Sequence, residues 1–280
     1  MLRQIRAELQ AAIRNEPSAL VRWSVYFYLL HLLLQPKIAL SELMAFGSIF
    51  TLGWALARRE VRFSFHILYY PLLVYGVVST IAAIAAETRV HAAFEGMLWY
   101  KMLIFPAAIV LYRRFPRLHD LALYPFALLA AGSSIWGLIQ FTFLDQRDLE
   151  HRISGPVSHV MTFSGTLLPL AIMFLLLWWH QRKPLFLAIT ILSTLTLLLT
   201  FTRSVWLGWA IAVLVLLMST RTQARYYALP ALLMFITFLP MPLFSRLVST
   251  FDTRQSSNFD RIRMLEAGVE IIKDHPILGV

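Results

Sequence analysis

Residues 185–219 read LFLAITILSTLTLLLTFTRSVWLGWAIAVLVLLMS, and Arg203 is the single charged side chain in this stretch. The run divides around Arg203 into two apolar segments, each close to the length that a helix needs to cross about 30 Å of hydrocarbon. Backbone groups in lipid must be hydrogen-bonded within their own segment, so each segment is predicted to be a helix. The stretch therefore predicts two transmembrane helices joined by a very tight hairpin.

The rest of the chain repeats this pattern. Of its 280 residues, 59% are hydrophobic and 14% are charged, with a mean hydropathy of +0.67, whereas soluble domains have roughly 25% charged residues. The composition predicts an all-α, polytopic transmembrane helical bundle of about nine helices. The predicted membrane segments are 19–35, 38–57, 66–86, 97–112, 121–144, 157–179, 185–201, 204–219 and 226–244.

Charge indicates how the bundle is oriented. The net charge is +10, but the basic residues form short clusters between apolar segments, which membrane topology explains better than nucleic-acid binding. They are concentrated near the N-terminus and after even-numbered segments, so the positive-inside rule predicts a cytoplasmic N-terminus. We expect one membrane domain over residues 1–280. It comprises a cytoplasmic amphipathic segment (1–18), the transmembrane bundle (19–244) and the start of a large outer loop (245–280).

The outer loop contains a second type of helix. From Phe259, the apolar residues Ile262, Leu265, Val269 and Ile272 recur at helical spacing. This spacing predicts an amphipathic helix that lies over the outer face of the bundle. Arg261 lies in its first turn, where a guanidinium is able to reach a phosphate.

Arg203 is the most informative polar residue of the membrane region. A guanidinium at this depth is costly unless it is paired or faces a wet cavity, so Arg203 is either functional or a snorkelling helix-end residue. The preceding helix carries a stripe of hydroxyl side chains pointing toward it, which is more typical of helix packing than of a ligand path. The stripe comprises Thr190, Ser193, Thr196 and Thr200.

Other polar features suggest less specific roles. The run 145–156 is either a binding loop or a solvated connector whose Gly155-Pro156 pair sets a turn. Lys101 is predicted to snorkel to the interface. The chain has no cysteine, no set of His, Asp and Glu at metal-ligand spacing and no glycine-rich phosphate loop, so metal catalysis and ATP hydrolysis have no support.

Three groups of residues stand in order on the predicted outer side: RISG (152–155), TFTRSVWLG (200–208), and NFDR (258–261) with DHPILGV (274–280). Together they resemble the O-antigen ligase and O-antigen polymerase family over roughly residues 120–280. The resemblance implies transfer of an oligo- or polysaccharide from an undecaprenyl-diphosphate carrier to an acceptor, on the periplasmic face of the bacterial inner membrane. The acceptor is lipid A core, a growing O-antigen or exopolysaccharide chain, or a protein.

The resemblance also assigns residues. Arg203 and Arg261 correspond to arginines that engage the diphosphate of the carrier and are the candidate catalytic residues. Arg152 and Arg263 are candidate substrate-binding residues. Breaking the sugar–diphosphate bond builds negative charge on the leaving group, and positioned guanidinium groups stabilise that charge without a metal or other cofactor.

The chain departs from the family pattern in two places. The hairpin reads Thr-Arg-Ser where the family has Ser-Arg, which leaves Arg203 in register. The family also continues past the turn at 276–280 to a histidine-asparagine pair that supplies the general base. We therefore expect a truncated chain that lacks the group activating the acceptor hydroxyl, because the general base lies beyond residue 280, and His275 is not assigned that role.

The alternatives are a transporter or flippase for an anionic lipid-linked substrate, with Arg203 and Lys101 in its path, and a structural scaffold. A transporter usually has repeated halves and charges near the membrane midplane, and the sequence has neither. The motifs do not separate a ligase from a polymerase or a protein oligosaccharyltransferase.

Overall fold

The computed structural model describes residues 11, 13, 16–63, 65–85, 98–115, 117–144, 151–157, 159–219, 256–274 and 276. Within these ranges, all of the regular secondary structure is helical. The α-helices are α1 (Ala19–Leu33), α2 (Ile38–Ala57), α3 (Tyr69–Ala85), α4 (Ile104–Arg114), α5 (Leu118–Phe143), α6 (Val160–Gln181), α7 (Pro184–Leu199), α8 (Arg203–Ser219) and α9 (Ser256–Asp274). A short 3₁₀ helix, Leu98–Leu103, runs directly into α4.

The all-α helical bundle predicted from the sequence is confirmed. Helices α1 to α3 and α5 to α8 coincide, within a few residues at each end, with their predicted membrane segments, and the 3₁₀ helix and α4 together cover the fourth segment. The fourth segment begins as a 3₁₀ turn before becoming α-helical, which hydropathy alone does not reveal. The ninth predicted segment, 226–244, lies outside the described residues, as does most of the N-terminal amphipathic segment.

Helix length and composition fit a membrane. Among the described residues, α2, α5 and α6 are long and apolar enough to cross a bilayer, and α1, α3, α7 and α8 are shorter apolar helices. The shorter helices have 15 to 17 residues and thus span about 25 Å, close to the hydrocarbon thickness.

The chain divides into two compact units. The first comprises residues 1–126 and 261–280, and the second comprises residues 127–260. The core of the first unit is built from α1, α2, α4 and the start of α5, with Val21, Ala55, Leu111 and Leu118 fully buried. Ile13 also packs into this core, at 2% exposure.

A pair of serines joins α1 and α2 in the first unit. The Ser24 hydroxyl donates to the Ser48 carbonyl at 2.9 Å, and the Ser48 hydroxyl donates to the Ser24 carbonyl at 3.0 Å. Both residues are fully buried. Small hydroxyl residues at a helix interface allow the two backbones to approach closely, which is typical of packing in lipid.

A buried carboxylate lies just before the N-terminus of α1, and it contacts the C-terminal end of α4. Glu16 is 5% exposed and accepts from Arg114 Nε at 2.9 Å and from Arg114 Nη2 at 3.3 Å. The hydrogen bonds from Arg114 to Glu16 raise the pKa of the Arg114 guanidinium, and the negative charge of Glu16 raises it further. Ser18 caps α1 by accepting from the Val21 amide at 3.2 Å and also donates to Glu60.

The second unit combines an apolar core with buried hydroxyl side chains, and it also exposes apolar residues. On α7, Thr190, Ser193 and Thr196 are buried, whereas Ile191 and Leu195 are each 50% exposed. Ser134 on α5 donates to the Ser193 hydroxyl at 3.3 Å, and the Thr196 hydroxyl donates to the Ser134 carbonyl at 3.2 Å. The hydroxyl stripe therefore packs α7 against α5, and the packing interpretation of the stripe is confirmed.

Helix α9 contains the predicted amphipathic stretch but begins at Ser256, three residues before Phe259, so the placement of Arg261 in the first turn was wrong and Arg261 lies in the second turn. Its residues 259–274 are exposed, except Gly268, which is partly buried. Leu265 and Ile272 are 70% and 63% exposed. The apolar stripe of α9 is therefore present but is not buried by the described part of the chain.

Candidate functional site

The site is built around the turn between α7 and α8, residues 200–204, which we call the Arg203 hairpin. One carbonyl oxygen, that of Leu197, anchors it. This oxygen accepts from the Thr200 hydroxyl at 2.7 Å, the Thr200 amide at 3.3 Å and the Trp206 indole N–H at 3.1 Å. Three donors from both sides of the turn thus converge on the last turn of α7, which fixes the hairpin against both helices.

The backbone turns sharply at Phe201, which has φ 52. A left-handed conformation costs a non-glycine residue of the order of 1 kcal/mol, and such strain persists only where the surroundings impose it. The Phe201 amide donates to the Leu198 carbonyl at 3.3 Å, and the Thr202 hydroxyl donates to the Thr200 carbonyl at 3.3 Å. These bonds hold the chain in the tight turn that the sequence predicted.

Arg203 is the first residue of α8, and its side chain is only 8% exposed. The preceding residue, Thr202, accepts from the amides of Val205 and Trp206 at 3.1 and 3.2 Å through its backbone carbonyl. The first amides of a helix carry partial positive charge, so they add to the charge of a guanidinium at the same end. This end of α8 therefore favours an anionic group.

A packed layer formed by Gly137, Phe163 and Thr196 lies next to the hairpin along α7. A Cβ added to Gly137 on α5 would be 2.8 Å from the Thr196 methyl carbon and 3.3 Å from the ring of Phe163 on α6. The missing side chain at Gly137 is what allows α5, α6 and α7 to approach each other here. Thr196 directly precedes Leu197, so this layer supports the anchor of the Arg203 hairpin.

The same Phe163 ring supports the segment 151–157. Gly155 has φ +63, and a Cβ at this position would be 2.3 Å from two ring carbons of Phe163. The Gln140 amide binds both backbone groups of Gly155: its oxygen accepts from the Gly155 N–H at 2.7 Å, and its nitrogen donates to the Gly155 carbonyl at 3.2 Å. The segments bearing Arg152 and Arg203 therefore rest on one packed layer of the second unit.

The four arginines predicted as site residues are divided between the two units. Arg203 is buried and Arg152 is partly exposed, and both belong to the second unit. Arg261 and Arg263 lie on α9, within the part of the chain assigned to the first unit, and both are exposed.

Lys101 has a partner that the sequence did not suggest. Its ammonium lies 2.6 Å from a carboxylate oxygen of Glu42 on α2, and both side chains are partly exposed. Lys101, which was predicted to snorkel, therefore forms an ion pair with Glu42. Within the described ranges, no three His, Asp or Glu side chains gather as metal ligands would.

Sequence reasoning missed three residues of this site. Gln140 and Gly137 lie inside a predicted membrane segment, and Phe163 looks like one apolar residue among many. An uncharged amide within an apolar segment is a usable signal, because a polar side chain in lipid needs a partner. The identity of that partner depends on the tertiary fold.

Apolar side chains that face outward, hydroxyl side chains that face inward and helices of membrane-spanning length define a polytopic α-helical membrane protein. The family model described as O-antigen ligase matches residues 188–280, a range that contains most of α7, the Arg203 hairpin, α8 and α9. This match covers about a third of the chain and confirms the resemblance for the motifs at 200–208 and 258–280; the RISG motif at 152–155 lies outside the matched range. No curated protein and no solved structure matches the chain.

Proposed function

We propose that this protein transfers an oligo- or polysaccharide from undecaprenyl diphosphate to an acceptor at the periplasmic face of the inner membrane. The match of residues 188–280 to the O-antigen ligase family supports glycan transfer of this general kind. The observation that supports the site is the position of Arg203, a nearly buried guanidinium on the first residue of α8.

In the proposed step, an acceptor hydroxyl oxygen attacks the anomeric carbon of the carrier-linked sugar. The bond between that carbon and the diphosphate oxygen breaks, its electron pair leaves with undecaprenyl diphosphate, and the hydroxyl proton passes to a general base. Negative charge therefore develops on the diphosphate oxygen. Guanidinium groups hold such oxygens through two parallel hydrogen bonds, and a positioned donor of this kind contributes about 3–4 kcal/mol to transition-state stabilisation.

Within this proposal, Arg203 binds the diphosphate at the N-terminal end of α8. Arg261 on α9 is the second arginine that binds it, and Arg152 and Arg263 bind the carrier-linked substrate. No metal takes part, because the guanidinium groups carry the positive charge. The acceptor is lipid A core, a polysaccharide chain or a protein, and the assay below does not depend on which.

The test uses membranes from cells in which the gene has been deleted and replaced by a variant. Labelled lipid-linked glycan is supplied, and release of undecaprenyl diphosphate is measured together with the labelled product. We expect Arg203→Ala and Arg261→Ala to reduce release at least a hundredfold, with Arg203→Lys only partly active because lysine lacks the planar fork. Arg117→Ala changes an exposed arginine outside the site and is the matched control.

Three results are decisive. Loss of release in the Arg203 and Arg261 variants, with normal amounts of protein in the membrane, supports the proposed role. Normal release by Arg203→Ala contradicts it. Movement of labelled carrier across sealed vesicles without release of undecaprenyl diphosphate contradicts glycan transfer and identifies a transporter.

A further inference from the structure

Gln140, near the C-terminal end of α5, forms a two-bond contact with a backbone segment far from it in sequence. Its side-chain oxygen accepts from the Gly155 N–H at 2.7 Å, and its nitrogen donates to the Gly155 carbonyl at 3.2 Å. The same nitrogen lies 3.5 Å from the Ser154 hydroxyl oxygen. The amide thus satisfies both backbone groups of Gly155 at once.

The contact lies in a buried environment. Gln140 is 6% exposed, and Gly155 and its neighbour Ile153 are buried, with Ile153 fully so. A buried backbone group without a partner is costly, so the amide determines where this stretch of backbone is able to lie. Hydrophobic packing alone does not explain why an amide occupies this position on α5.

The conformation at Gly155 strengthens this constraint. Its φ of +63 belongs to the left-handed region, and the Phe163 ring occupies the space where a side chain would be. The backbone is therefore held by two hydrogen bonds on one side and an aromatic ring on the other. Arg152 lies three residues before Gly155 and one before the buried Ile153, so its position depends on this anchor.

We propose that Gln140 is a positioning residue that acts through Arg152: by fixing the Gly155 backbone, it holds the Arg152 guanidinium where it contacts the carrier-linked substrate. This inference rests on the proposed function. It differs from that function because Gln140 itself touches neither the substrate nor the diphosphate.

The variants separate the two hydrogen bonds from simple packing. Gln140→Leu keeps much of the side-chain volume and removes both bonds. Gln140→Glu keeps the acceptor for the Gly155 N–H but loses the donor to the Gly155 carbonyl. Ser134→Ala is the control, because it also removes a buried polar group from α5 but one that bonds to α7 instead of to the 151–157 segment.

The readouts are the KM for labelled lipid-linked glycan, kcat for release of undecaprenyl diphosphate, and hydrogen exchange of peptides covering 151–157. We expect Gln140→Leu to raise the KM about tenfold with a smaller change in kcat and to accelerate exchange in this segment. Gln140→Glu should lie between wild type and Gln140→Leu in both measurements. The KM of Ser134→Ala should be unchanged.

A double-variant comparison then tests the route through Arg152. In an Arg152→Ala background, Gln140→Leu should have little further effect on the KM, because the group that it positions is gone. The inference would be overturned if the increases in KM caused by the two substitutions multiplied in the double variant. It would also be overturned if Gln140→Leu alone left the KM unchanged. If Gln140→Leu does not accumulate in the membrane, Gln140→Glu decides the question by the same criteria.

Failure of the inference is distinguishable from failure of the proposed function. If Arg203→Ala abolishes release while both Gln140 variants keep the wild-type KM, only the positioning role is wrong. If the complete wild-type gene product releases no undecaprenyl diphosphate from the donor, the proposed function is wrong and the inference falls with it.

Discussion

Replacing Gly155 by alanine should destabilise the protein because of two separate costs. Alanine at φ +63 adopts a left-handed conformation, which costs about 1–2 kcal/mol. The new Cβ would lie 2.3 Å from two carbons of the Phe163 ring, which is itself 2% exposed and packed. Forcing an extra carbon into a packed region costs roughly 1–3 kcal/mol. The expected loss of stability is therefore about 2–5 kcal/mol.

The assay is thermal unfolding of the purified protein in lipid nanodiscs, followed by the fluorescence of its 8 tryptophans. At roughly 2–4 °C per kcal/mol, Gly155→Ala should lower the Tm by roughly 4–20 °C. Gly165→Ala on α6 is the matched control, since a Cβ there meets nothing within 4 Å. Its Tm should stay the same or rise slightly, because alanine favours a helix more than glycine does.

A second variant separates the two costs. Gly155→Ala combined with Phe163→Leu replaces the ring that the Cβ would meet, so the pair should lose less stability than the two single changes added together. The backbone cost at φ +63 should remain. If Gly155→Ala unfolds at the same temperature as wild type and Gly165→Ala, the proposed packing of the 151–157 segment on Phe163 is refuted.

Three further predictions concern other contacts. Gly137→Ala should lower the Tm by several degrees, because its Cβ would lie 2.8 Å from the Thr196 methyl carbon, and an unchanged Tm would contradict the close packing of α5 on α7. Trp206→Phe removes the indole hydrogen bond to the Arg203 hairpin and should cost about 1 kcal/mol of stability and reduce glycan transfer severalfold; unchanged transfer would show that this bond does not position the hairpin. Arg114→Ala leaves the Glu16 carboxylate buried without its guanidinium and should cost about 1–3 kcal/mol in denaturant unfolding. The pKa of Arg114 is raised, so its guanidinium stays charged throughout the range from about pH 7 to pH 9 and its contribution is lost only as the pH rises through the raised value; the cost should therefore be constant over that range.

The helices were largely predictable from the sequence because hydropathy acts locally. Segments such as 38–57 and 204–219 are long apolar runs bounded by polar residues, and the helices found there begin and end within a residue of the expected limits. The hydroxyl stripe of α7 was predictable for the same reason, since helical spacing fixes which side chains share a face. Its packing partner on α5 was not.

The contacts that build the site required the tertiary fold. The bond between Gln140 and Gly155 joins the end of one helix to the loop before the next, and no periodic pattern relates the two residues. The pairing of Lys101 with Glu42 likewise joins distant parts of the chain. The left-handed backbone of Phe201 belongs to a turn in which the Phe201 amide donates to the Leu198 carbonyl, and hydropathy does not indicate this local geometry.

The resemblance identified Arg203 from its motif, and the structure adds the physical setting of that residue. Its side chain is nearly buried, it begins a helix, and the hairpin that carries it is fixed by hydrogen bonds to α7. The hydrogen bonds fix the backbone that carries Arg203, and a fixed backbone limits the positions that its side chain is able to take.

The most direct test of the central claim is the affinity of the purified protein in nanodiscs for undecaprenyl diphosphate, with undecaprenyl monophosphate as the comparison ligand. Loss of a charge-assisted hydrogen bond of about 1.5–3 kcal/mol corresponds to a change in Kd of roughly 10- to 150-fold. We predict that wild-type protein prefers the diphosphate and that Arg203→Ala raises its Kd at least tenfold, while Arg117→Ala leaves it unchanged. Equal Kd values for wild type and Arg203→Ala would contradict the assignment of Arg203 to the diphosphate of the carrier.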